Sequence, residues 1–482
     1  MSTTFFQKIL STPKNILITL AIVFVPLAMM IIFWPRENKQ PQVNTGPIKL
    51  VWWSANFNQS AYQNAIKSFK AKPQNSNIQI EIVTKNFKGN GKDYYQNLIK
   101  AIATDSGPDI FSIRADQLPQ YQELMLPLQI FSGEILNDYQ DDFVDLVVRD
   151  TISRGSVYGV ASYVDNLQLF YNKDILNQTN IALPASSWEE MDKQINLINR
   201  FSSQNNTEFS RSIMAMGSGN RSSDGYLKAN IDNSSDILAM LIMQNGGQLY
   251  DHKNNVARFD TSTQGPIYTA SNFYLNFGDD QNSRYSWDPQ ANKTNIEAFS
   301  QGRLAYLIHY SQTIKKLQQI NPLLNFDIAE LPQLNPDRKK TYGRFIMNGI
   351  NRKINSKKDA KLRRLAAERF LLHLTTYKSQ LDFSAQTSLP GARKDIIKQQ
   401  QSGDRQLRIF SEGALVADNY YKNDAEAVDN MWNSIFYKVH YETGKYSRSP
   451  NSSDQASEKS LALQSALAEA GREYQAISQS RP

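Results

Sequence analysis

The chain contains no cysteine, and this absence removes several kinds of chemistry at once. Disulfides, thiolate metal sites, iron–sulfur clusters and cysteine nucleophiles are all excluded, as is lipid attachment to an N-terminal cysteine. Histidine is scarce as well, and its four residues lie far apart at His252, His309, His373 and His440. The sequence therefore has no H-E-x-x-H zinc helix.

Motifs of nucleotide binding and of serine hydrolases are also missing. The sequence has no G-x-x-x-x-G-K-[ST] phosphate loop, no G-x-G-x-x-G turn and no G-x-S-x-G nucleophile elbow. Carboxylate pairs such as Asp141-Asp142 are most simply solvated surface, although sequence spacing does not exclude a glycosidase, whose two carboxylates are often distant in the chain. We expect no catalytic residue, no metal and no cofactor, and we predict that the protein is not an enzyme.

Strong charge of one sign is lacking in the main part of the chain. The formal net charge is +7, and residues 1–47 hold four basic residues against one acidic residue. The net positive charge of the residues after 47 is too small for binding a phosphate backbone, so nucleic acid is not an expected partner. A length of 482 residues with 40% hydrophobic and 21% charged residues indicates a globular protein of two lobes or domains.

One long hydrophobic run is present, at residues 15–35, and it carries no charge. A helix of this length spans roughly 30 Å, enough to cross a bilayer. The alternative is a cleaved signal peptide, but the run is longer than a signal core and ends without a small-residue cleavage site. We predict a cytoplasmic segment 1–14, a single transmembrane anchor 15–35 and a polar tether 36–47, with the body on the extracytoplasmic side of the cell membrane.

After the tether, the pattern alternates between strand and helix. An apolar run at 48–53 and an alternating run at 78–82 predict strands, and Asp109-Ile110-Phe111 begins a third. Helical spacing fills both intervals, so the order predicts parallel strands with right-handed crossovers. Ligands of such sheets lie beyond the carboxyl ends of the strands, which directs attention to 54–58 and to the residues after 111.

Several later elements are also readable. Ser187 and Glu190 have the spacing of a capping box and predict a helix start. Apolar spacing predicts helices around 362–370 and 461–470, and the polar stretch 447–457 predicts a loop.

An ordered series of motifs resembles the extracellular solute-binding proteins of ABC importers, in the sugar-binding group that includes the maltodextrin-binding protein. The motifs are LVWWSAN (50–56), GPDIF (107–111), YGVASYVDNLQLFYNKDIL (158–176), SWEEM (187–191), MQNGGQLYD (243–251), AFSQGRLAYLI (298–308), YGRFIMNGINRKINS (342–356) and SLPGARKDI (388–396). Two departures are Val160, where relatives commonly have proline, and the missing lipid-bearing cysteine.

The resemblance implies an α/β fold of the two-lobed, periplasmic-binding-protein-like (type II) kind with a hinge. Its crossing segments are expected near 160–165, 345–350 and 388–394. Lobe 1 is then 48–160 with 350–390, lobe 2 is 161–349 with 391–475, and 476–482 is a tail. The body is expected to be monomeric.

The resemblance also implies ligand-binding residues between the lobes. Asp165 matches a carboxylate that bonds ligand hydroxyls at the hinge, although a charge that faces solvent or pairs locally is the alternative. Trp53, Ser54 and Asn56 follow the first strand, where the tryptophan could equally belong to the core and the asparagine to a turn.

The other expected site residues come from later loops. Arg114 and Asp116 follow the third strand and could instead form a structural ion pair. The remaining four fall where relatives touch or close over the ligand, with a flexible loop or core packing as the alternatives: Ser218, Asn220, Tyr310 and Trp432. Near Tyr310, Ile308 and His309 replace glycines of many relatives.

The expected function is a membrane-anchored receptor that closes on a carbohydrate and delivers it to the permease subunits of an ABC transporter. The first alternative keeps the receptor but changes the ligand to another polar solute, such as a polyol, a glycerol phosphate or a peptide, and Arg114 and Arg344 leave an anion open. A more remote alternative is a surface glycan hydrolase or lyase.

Overall fold

The computed structural model describes residues 46–55, 59–85, 92–201, 209–219, 230–251, 254, 256–259, 262–289, 293–446 and 452–479. The predicted cytoplasmic segment, the predicted anchor and nearly all of the predicted tether lie outside these residues. Within them, no helix combines the length and the apolar character needed to cross a membrane.

Short strands dominate the sheets. The strands are β1 Ile48–Ala55, β2 Ile78–Lys85, β3 Ile110–Arg114, β4 Met125–Leu126, β5 Ile152–Ser153, β6 Ser156–Val157, β7 Val160–Ala161, β8 Asp165–Asn166, β9 Gln168–Asn172, β10 Arg200–Phe201, β11 Phe209–Met214, β12 Tyr250–Asp251, β13 Val256–Ala257, β14 Leu304–His309, β15 Phe326–Ala329, β16 Thr341–Arg344, β17 Ile346–Asn351 and β18 Ala417–Asp418.

Helices cover the faces of the sheets and form the last part of the chain that the structure describes. They are α1 Gln59–Lys70, α2 Lys92–Ala103, α3 Leu118–Tyr121, α4 Glu134–Asp142, α5 Asp145–Thr151, α6 Lys173–Gln178, α7 Trp188–Ile198, α8 Ser234–Gln244, α9 Pro266–Leu275, α10 Asn295–Ser300, α11 Thr313–Ile320, α12 Ala360–Leu374, α13 Tyr377–Thr387, α14 Lys394–Gln400, α15 Arg405–Leu415, α16 Ala425–Tyr446 and α17 Ser452–Gln479.

Lobe 1 is built on the sheet β2-β1-β3-β17-β4, to which β7 is added on β17. β1 pairs in parallel with both β2 and β3, as the strand–helix alternation predicts. The core forms because alternate residues of β1 turn inward: Trp52 is fully buried, with its ring 4.6 Å from Tyr62 of α1 and 5.7 Å from Phe370 of α12. The predicted helix around 362–370 is confirmed as α12.

Lobe 2 is built on the sheet β10-β11-β14-β9-β15. Its core is a separate apolar cluster that includes residues of the last two helices, for example Trp432 and Leu467. At the start of α7, the Ser187 hydroxyl accepts from the Glu190 amide, as predicted, but the Glu190 carboxylate accepts from the Ser186 amide at 2.8 Å.

One predicted loop is partly wrong. Residues 452–457 of the expected loop 447–457 form the first turns of α17, whereas 447–451 lie outside the described residues. The segment from 455 onward is rich in glutamine, alanine and glutamate. The high helix propensity of these residues outweighs the polar character that suggested a loop.

A third, three-stranded sheet, β18-β16-β8, lies where the chain passes between the lobes. β7 and β17 belong to the lobe 1 sheet, whereas β8, which follows β7, and β16, which precedes β17, pair in this small sheet. Near the third expected crossing, the Val164 amide donates to the Pro390 carbonyl at 3.1 Å. The chain thus has the two-lobed α/β architecture expected from its motifs.

Candidate functional site

The end of β3 brings a buried ion pair to the edge of the lobe 1 sheet. The Arg114 guanidinium donates to both carboxylate oxygens of Asp116, at 3.0 and 2.5 Å. Their side chains are only 12% and 3% exposed. Burial alone would lower the pKa of Arg114, but the adjacent carboxylate raises it well above its ordinary value. The pair is therefore ionised and fixed in a bidentate geometry.

A second buried ion pair lies against the first. Lys422, between β18 and α16, donates from Nζ to Asp236 at 2.6 Å and to Asp429 at 3.3 Å. Its backbone amide donates to the Asp116 carbonyl at 2.8 Å, so the two pairs are joined through the main chain. Burial opposes the charge of Lys422, yet Asp236 raises its pKa. Sequence analysis missed both partners, because they are 186 residues apart.

Tyr310 extends this network. Its hydroxyl donates to the other Asp236 oxygen at 2.7 Å, and the Arg344 guanidinium carbon lies 3.5 Å from its ring centroid. The Arg344 Nη1 also donates to the Asn233 side chain at 3.4 Å. Burial first, and Asp236 second, raise the pKa of Tyr310 well above its ordinary value. One face of the ring predicted to stack on a ligand is thus covered by a guanidinium.

Asp165 lies at the hinge, opposite Arg344 in the β8–β16 ladder. Its side chain is fully buried. Oδ1 accepts from the backbone amides of Ser311 and Asn166, both at 3.0 Å. Among the described residues, Oδ2 has no hydrogen-bond partner of good geometry. Burial raises the pKa of Asp165, and Arg344 partly offsets this shift.

His309 ends β14 beside these groups. Nδ1 accepts from the Tyr310 amide at 3.0 Å, and Nε2 is 2.9 Å from the Asn233 side-chain nitrogen. Burial first, and then Arg344 and Lys316, lower the pKa of His309 to about 3. The imidazole is therefore neutral and acts as a fixed polar group.

Other buried polar atoms of the strand ends also lack a partner within the described part of the chain. They include the Ser54 hydroxyl at the end of β1 and the Tyr342 hydroxyl on β16. A buried polar group that makes no hydrogen bond costs about 1–3 kcal/mol. Such atoms, together with Asp165 Oδ2, are suited to receive hydroxyls of a bound molecule.

Some predicted residues have other surroundings. Trp53 is half-buried on β1, with the Lys85 Nζ 4.2 Å from its ring centroid. Trp432 is fully buried in lobe 2, where its ring lies 5.5 Å from Phe259 and its Nε1 donates to the Tyr420 hydroxyl.

Three predicted residues remain, namely Ser218, Asn56 and Asn220. Ser218 is buried, and its carbonyl accepts from the Tyr274 hydroxyl at 2.7 Å. Asn56 and Asn220 lie outside the described residues.

The structure therefore brings together four of the predicted residues around one network, namely Arg114, Asp116, Asp165 and Tyr310. Sequence reasoning missed its other members, apart from naming Arg344 as a possible anion contact. Within the described ranges, no group of three or more histidines or carboxylates is arranged to hold a metal ion. Fixed donors and acceptors in this arrangement can bind and orient a polar molecule.

Comparisons with known proteins agree with this architecture. A family model described as bacterial extracellular solute-binding protein matches residues 64–405. A galactooligosaccharide-binding protein of Bacillus subtilis (strain 168) is 20% identical over 164 residues, which are 33% of this chain and 36% of that protein. The chain thus matches about a third of the length of that curated relative.

Solved structures show the same fold over nearly the whole chain. A cyclo/maltodextrin-binding protein complexed with maltotetraose superposes with a TM-score of 0.67 at 16% identity, covering 91% of this chain and 99% of that one. An ABC substrate-binding protein of Listeria monocytogenes in complex with cycloalternan gives 0.61 at 15%, covering 88% and 98%. A cyclic alpha-maltosyl-1,6-maltose binding protein of Arthrobacter globiformis gives 0.61 at 16%, covering 88% and 100%. The matched family consists of binding proteins rather than enzymes, and this chain belongs to the bacterial extracellular solute-binding proteins.

Proposed function

We propose that the protein is an extracytoplasmic receptor that binds a neutral carbohydrate between its two lobes and delivers it to an ABC transporter permease. The observation that carries the proposal is Asp165, a fully buried carboxylate at the hinge with one oxygen unpartnered in the described part of the chain. Sugar hydroxyls are the natural partners of such an oxygen. The similar solved structures that hold maltotetraose and cycloalternan support this ligand class.

Charge balance favours a neutral ligand over an anionic one. The cations Arg114 and Lys422 already contact carboxylates within the network. Arg344 makes no ion pair among the described residues, but it opposes Asp165 across the ladder and covers Tyr310. A net anionic ligand would therefore meet more buried carboxylates than free cations.

The second candidate keeps the receptor but replaces the sugar with an anionic polar solute such as a glycerol phosphate. Arg344 is the observation that favours it, because among the described residues its guanidinium makes a single hydrogen bond, at 3.4 Å to Asn233. An anionic ligand would use Arg344 as its charge partner, whereas a neutral sugar would depend on Asp165.

Membrane attachment and lobe boundaries are parts of the same proposal. Residues 15–35 would hold the body at the membrane and raise its effective concentration near the permease. In this proposal lobe 1 comprises 48–160 with 350–390 and lobe 2 comprises 161–349 with 391–475. The strand β17 (Ile346–Asn351) crosses the boundary at 349/350 and pairs in the lobe 1 sheet. The pairing of β8 with β16 between the two sheets supports a hinge at this position.

A thermal-shift panel tests the ligand class. Neutral mono- and oligosaccharides, polyols and glycerol 3-phosphate are added to the protein, and the correct ligand at about 100 times its Kd should stabilise the folded state by about 2.7 kcal/mol. Asp165→Asn should remove the shift given by a neutral sugar, because the substitution replaces a carboxylate that accepts hydrogen bonds from sugar hydroxyls with an amide.

The matched control is Asp145→Asn, since the Asp145 side chain is 94% exposed and lies on α5. This variant should retain the full shift. A panel in which no neutral sugar raises the melting temperature, or in which Asp165→Asn responds like the wild type, would contradict the proposal. A shift from glycerol 3-phosphate alone, lost in Arg344→Gln, would support the second candidate.

A further inference from the structure

A concavity lies on lobe 2, away from the network between the lobes. Its volume is about 510 Å³. Its wall includes Asn172, which ends β9, and Gly302, which precedes β14. Asp165 precedes β9, and His309 ends β14, so the concavity is at the opposite end of these two strands. At about 3.3 Å per residue, the strands separate the two places by roughly 15–20 Å. We call it the distal pocket.

Two arginines line the distal pocket side by side. Arg200 and Arg211 face each other in the β10–β11 ladder. Arg200 donates to the carbonyl of Asn199 at 2.6 Å, and Arg211 donates to the Ile198 carbonyl at 2.9 Å and to Gln178 Oε1 at 3.2 Å. In the described part of the chain, neither guanidinium is in an ion pair.

The like charges repel each other across the distal pocket. Burial first, and the neighbouring Arg200 second, lower the pKa of Arg211. Like charges placed opposite each other in a ladder are destabilising, so an anion bound between them would remove this repulsion. The carboxylate of Asp174 also lines the pocket, but its Oδ1 accepts from Asn325 Nδ2 at 2.7 Å. Among the described lining residues, two cations against one carboxylate give a net positive charge.

The rest of the lining suits a molecule larger than a simple anion. Several lining residues carry amide side chains, among them Gln178 and Asn325, and amides can both donate to and accept from hydroxyls. Leu323, which is 92% exposed, gives an apolar rim on which the C–H face of a sugar ring can pack. The volume lies within the range of about 300–1,000 Å³ that is usual for small-molecule sites.

We propose that the distal pocket binds an acidic saccharide, with the anionic group between Arg200 and Arg211 and the hydroxyls on the amide side chains. This site is separate from the sugar site between the lobes, so the protein would hold an acidic glycan on the outer end of lobe 2 while its cleft remains available for another ligand.

Calorimetric titration of the full-length chain in detergent tests the proposal. The probes are tetragalacturonate, its methyl ester, which has the same hydroxyls without the charge, and inorganic phosphate, which has charge without a sugar. Tetragalacturonate should bind at least about tenfold more tightly than either comparator, since only this probe offers both kinds of contact. Raising the salt concentration to about 0.5 M should weaken the binding.

Three variants locate the site. Arg211→Gln should weaken tetragalacturonate binding about tenfold. Gln178→Glu should do the same without removing any arginine, because it places a carboxylate against Arg211; its melting temperature reports whether it is folded. Arg338→Gln, an exposed arginine elsewhere on lobe 2, should bind like the wild type.

Asp165→Asn separates this site from the cleft and should leave tetragalacturonate binding unchanged. The proposal is overturned if tetragalacturonate does not bind, if its ester or phosphate binds equally well, if folded Gln178→Glu binds like the wild type, or if Asp165→Asn abolishes the binding. If tetragalacturonate binds but no neutral sugar in the thermal-shift panel raises the melting temperature, the proposed transport ligand is wrong and the inference about the distal pocket stands.

Discussion

At the scale of single residues, the cleft network shows how a protein keeps charges ionised after removing them from water. Burial alone would raise the pKa of Asp236, but Lys422, Arg114 and Arg344 together lower it. A buried ion pair is costly to form, and it is more costly to leave half-made. The network therefore holds the two lobes' polar groups in defined positions, which is what a recognition site requires.

Only part of this network could be read from the sequence. Arg114, Asp116 and Asp165 were predicted because they follow strands or match a motif, and the order of strands indicates which edge of the sheet they reach. Asp236 begins a helix, and Lys422 lies in an irregular segment, so neither carries a local signal. Their contact depends on a fold that joins positions 186 residues apart.

His309 gives a residue-scale prediction about pH. Its pKa is lowered to about 3, whereas an unfolded histidine titrates near 6.5. The folded chain therefore binds fewer protons than the unfolded chain. The contribution of neutral His309 to stability is complete above pH 6.5 and is lost as the pH falls toward 3. When the pH is lowered from about 7.5 to about 5, protonation of this one group in the unfolded chain should reduce the free energy of unfolding by about 2 kcal/mol.

Urea unfolding of the wild type and His309→Gln at these two pH values measures the effect. The variant should lose about 2 kcal/mol less than the wild type, because glutamine does not titrate. Thr313→Val is the matched control, since it removes the hydroxyl that lies 2.5 Å from Nδ1 and keeps the imidazole. It should retain the wild-type pH dependence. Equal pH dependence in His309→Gln and the wild type would contradict the assignment.

At the scale of elements, periodicity predicted the first strands, whereas the crossing segments of the hinge were expected only from the family resemblance. The runs at 48–53 and 78–82 have the length and periodicity of strands, and they became β1 and β2 with parallel pairing. β8 and β18 are two residues each, too short for any periodicity to show. β18 was not foreseen, and it pairs with β16 only because α15 returns the chain to the hinge.

Gly343 on β16 gives the element-scale prediction. A Cβ at this position would lie 2.7 Å from both Ala417 Cβ and Leu146 Cδ2, so Gly343→Ala forces the hinge strands apart. The variant should lose about 1–3 kcal/mol of stability, as expected for overpacking. Ligand affinity should fall as well, because the neighbouring Arg344 belongs to the cleft network.

Gly403→Ala is the control, because its added Cβ would meet only the Gln400 carbonyl oxygen, at 3.4 Å. Combining Gly343→Ala with Ala417→Gly should restore part of the lost stability. Chemical denaturation and the thermal-shift panel measure the two effects. If Gly343→Ala were as stable as Gly403→Ala, β16 would not be packed as tightly as the structure shows.

At the scale of the whole molecule, the separate cores of the two lobes make relative motion the natural response to a ligand. Each lobe has its own sheet and its own apolar cluster, so closing the cleft requires no repacking inside either. The short hinge strands can absorb the change in backbone angles, as in other hinged domains. A ligand that contacts groups from both lobes would favour the closed arrangement by its differential affinity.

The absence of cysteine makes this motion measurable, because introduced labels are unique. Glu123→Cys on lobe 1 and Glu189→Cys on lobe 2 replace side chains that are 69% and 79% exposed, and spin labels at both report the distance between lobes. The sugar that gives the largest thermal shift should change this distance distribution toward one narrower population. Glu189→Cys with Glu330→Cys places both labels on lobe 2 and should show no change. Adding Asp165→Asn to the pair Glu123→Cys and Glu189→Cys should abolish this change in distance, because closure depends on ligand held at the hinge. A distance that does not change with saturating sugar would mean that binding proceeds without lobe motion.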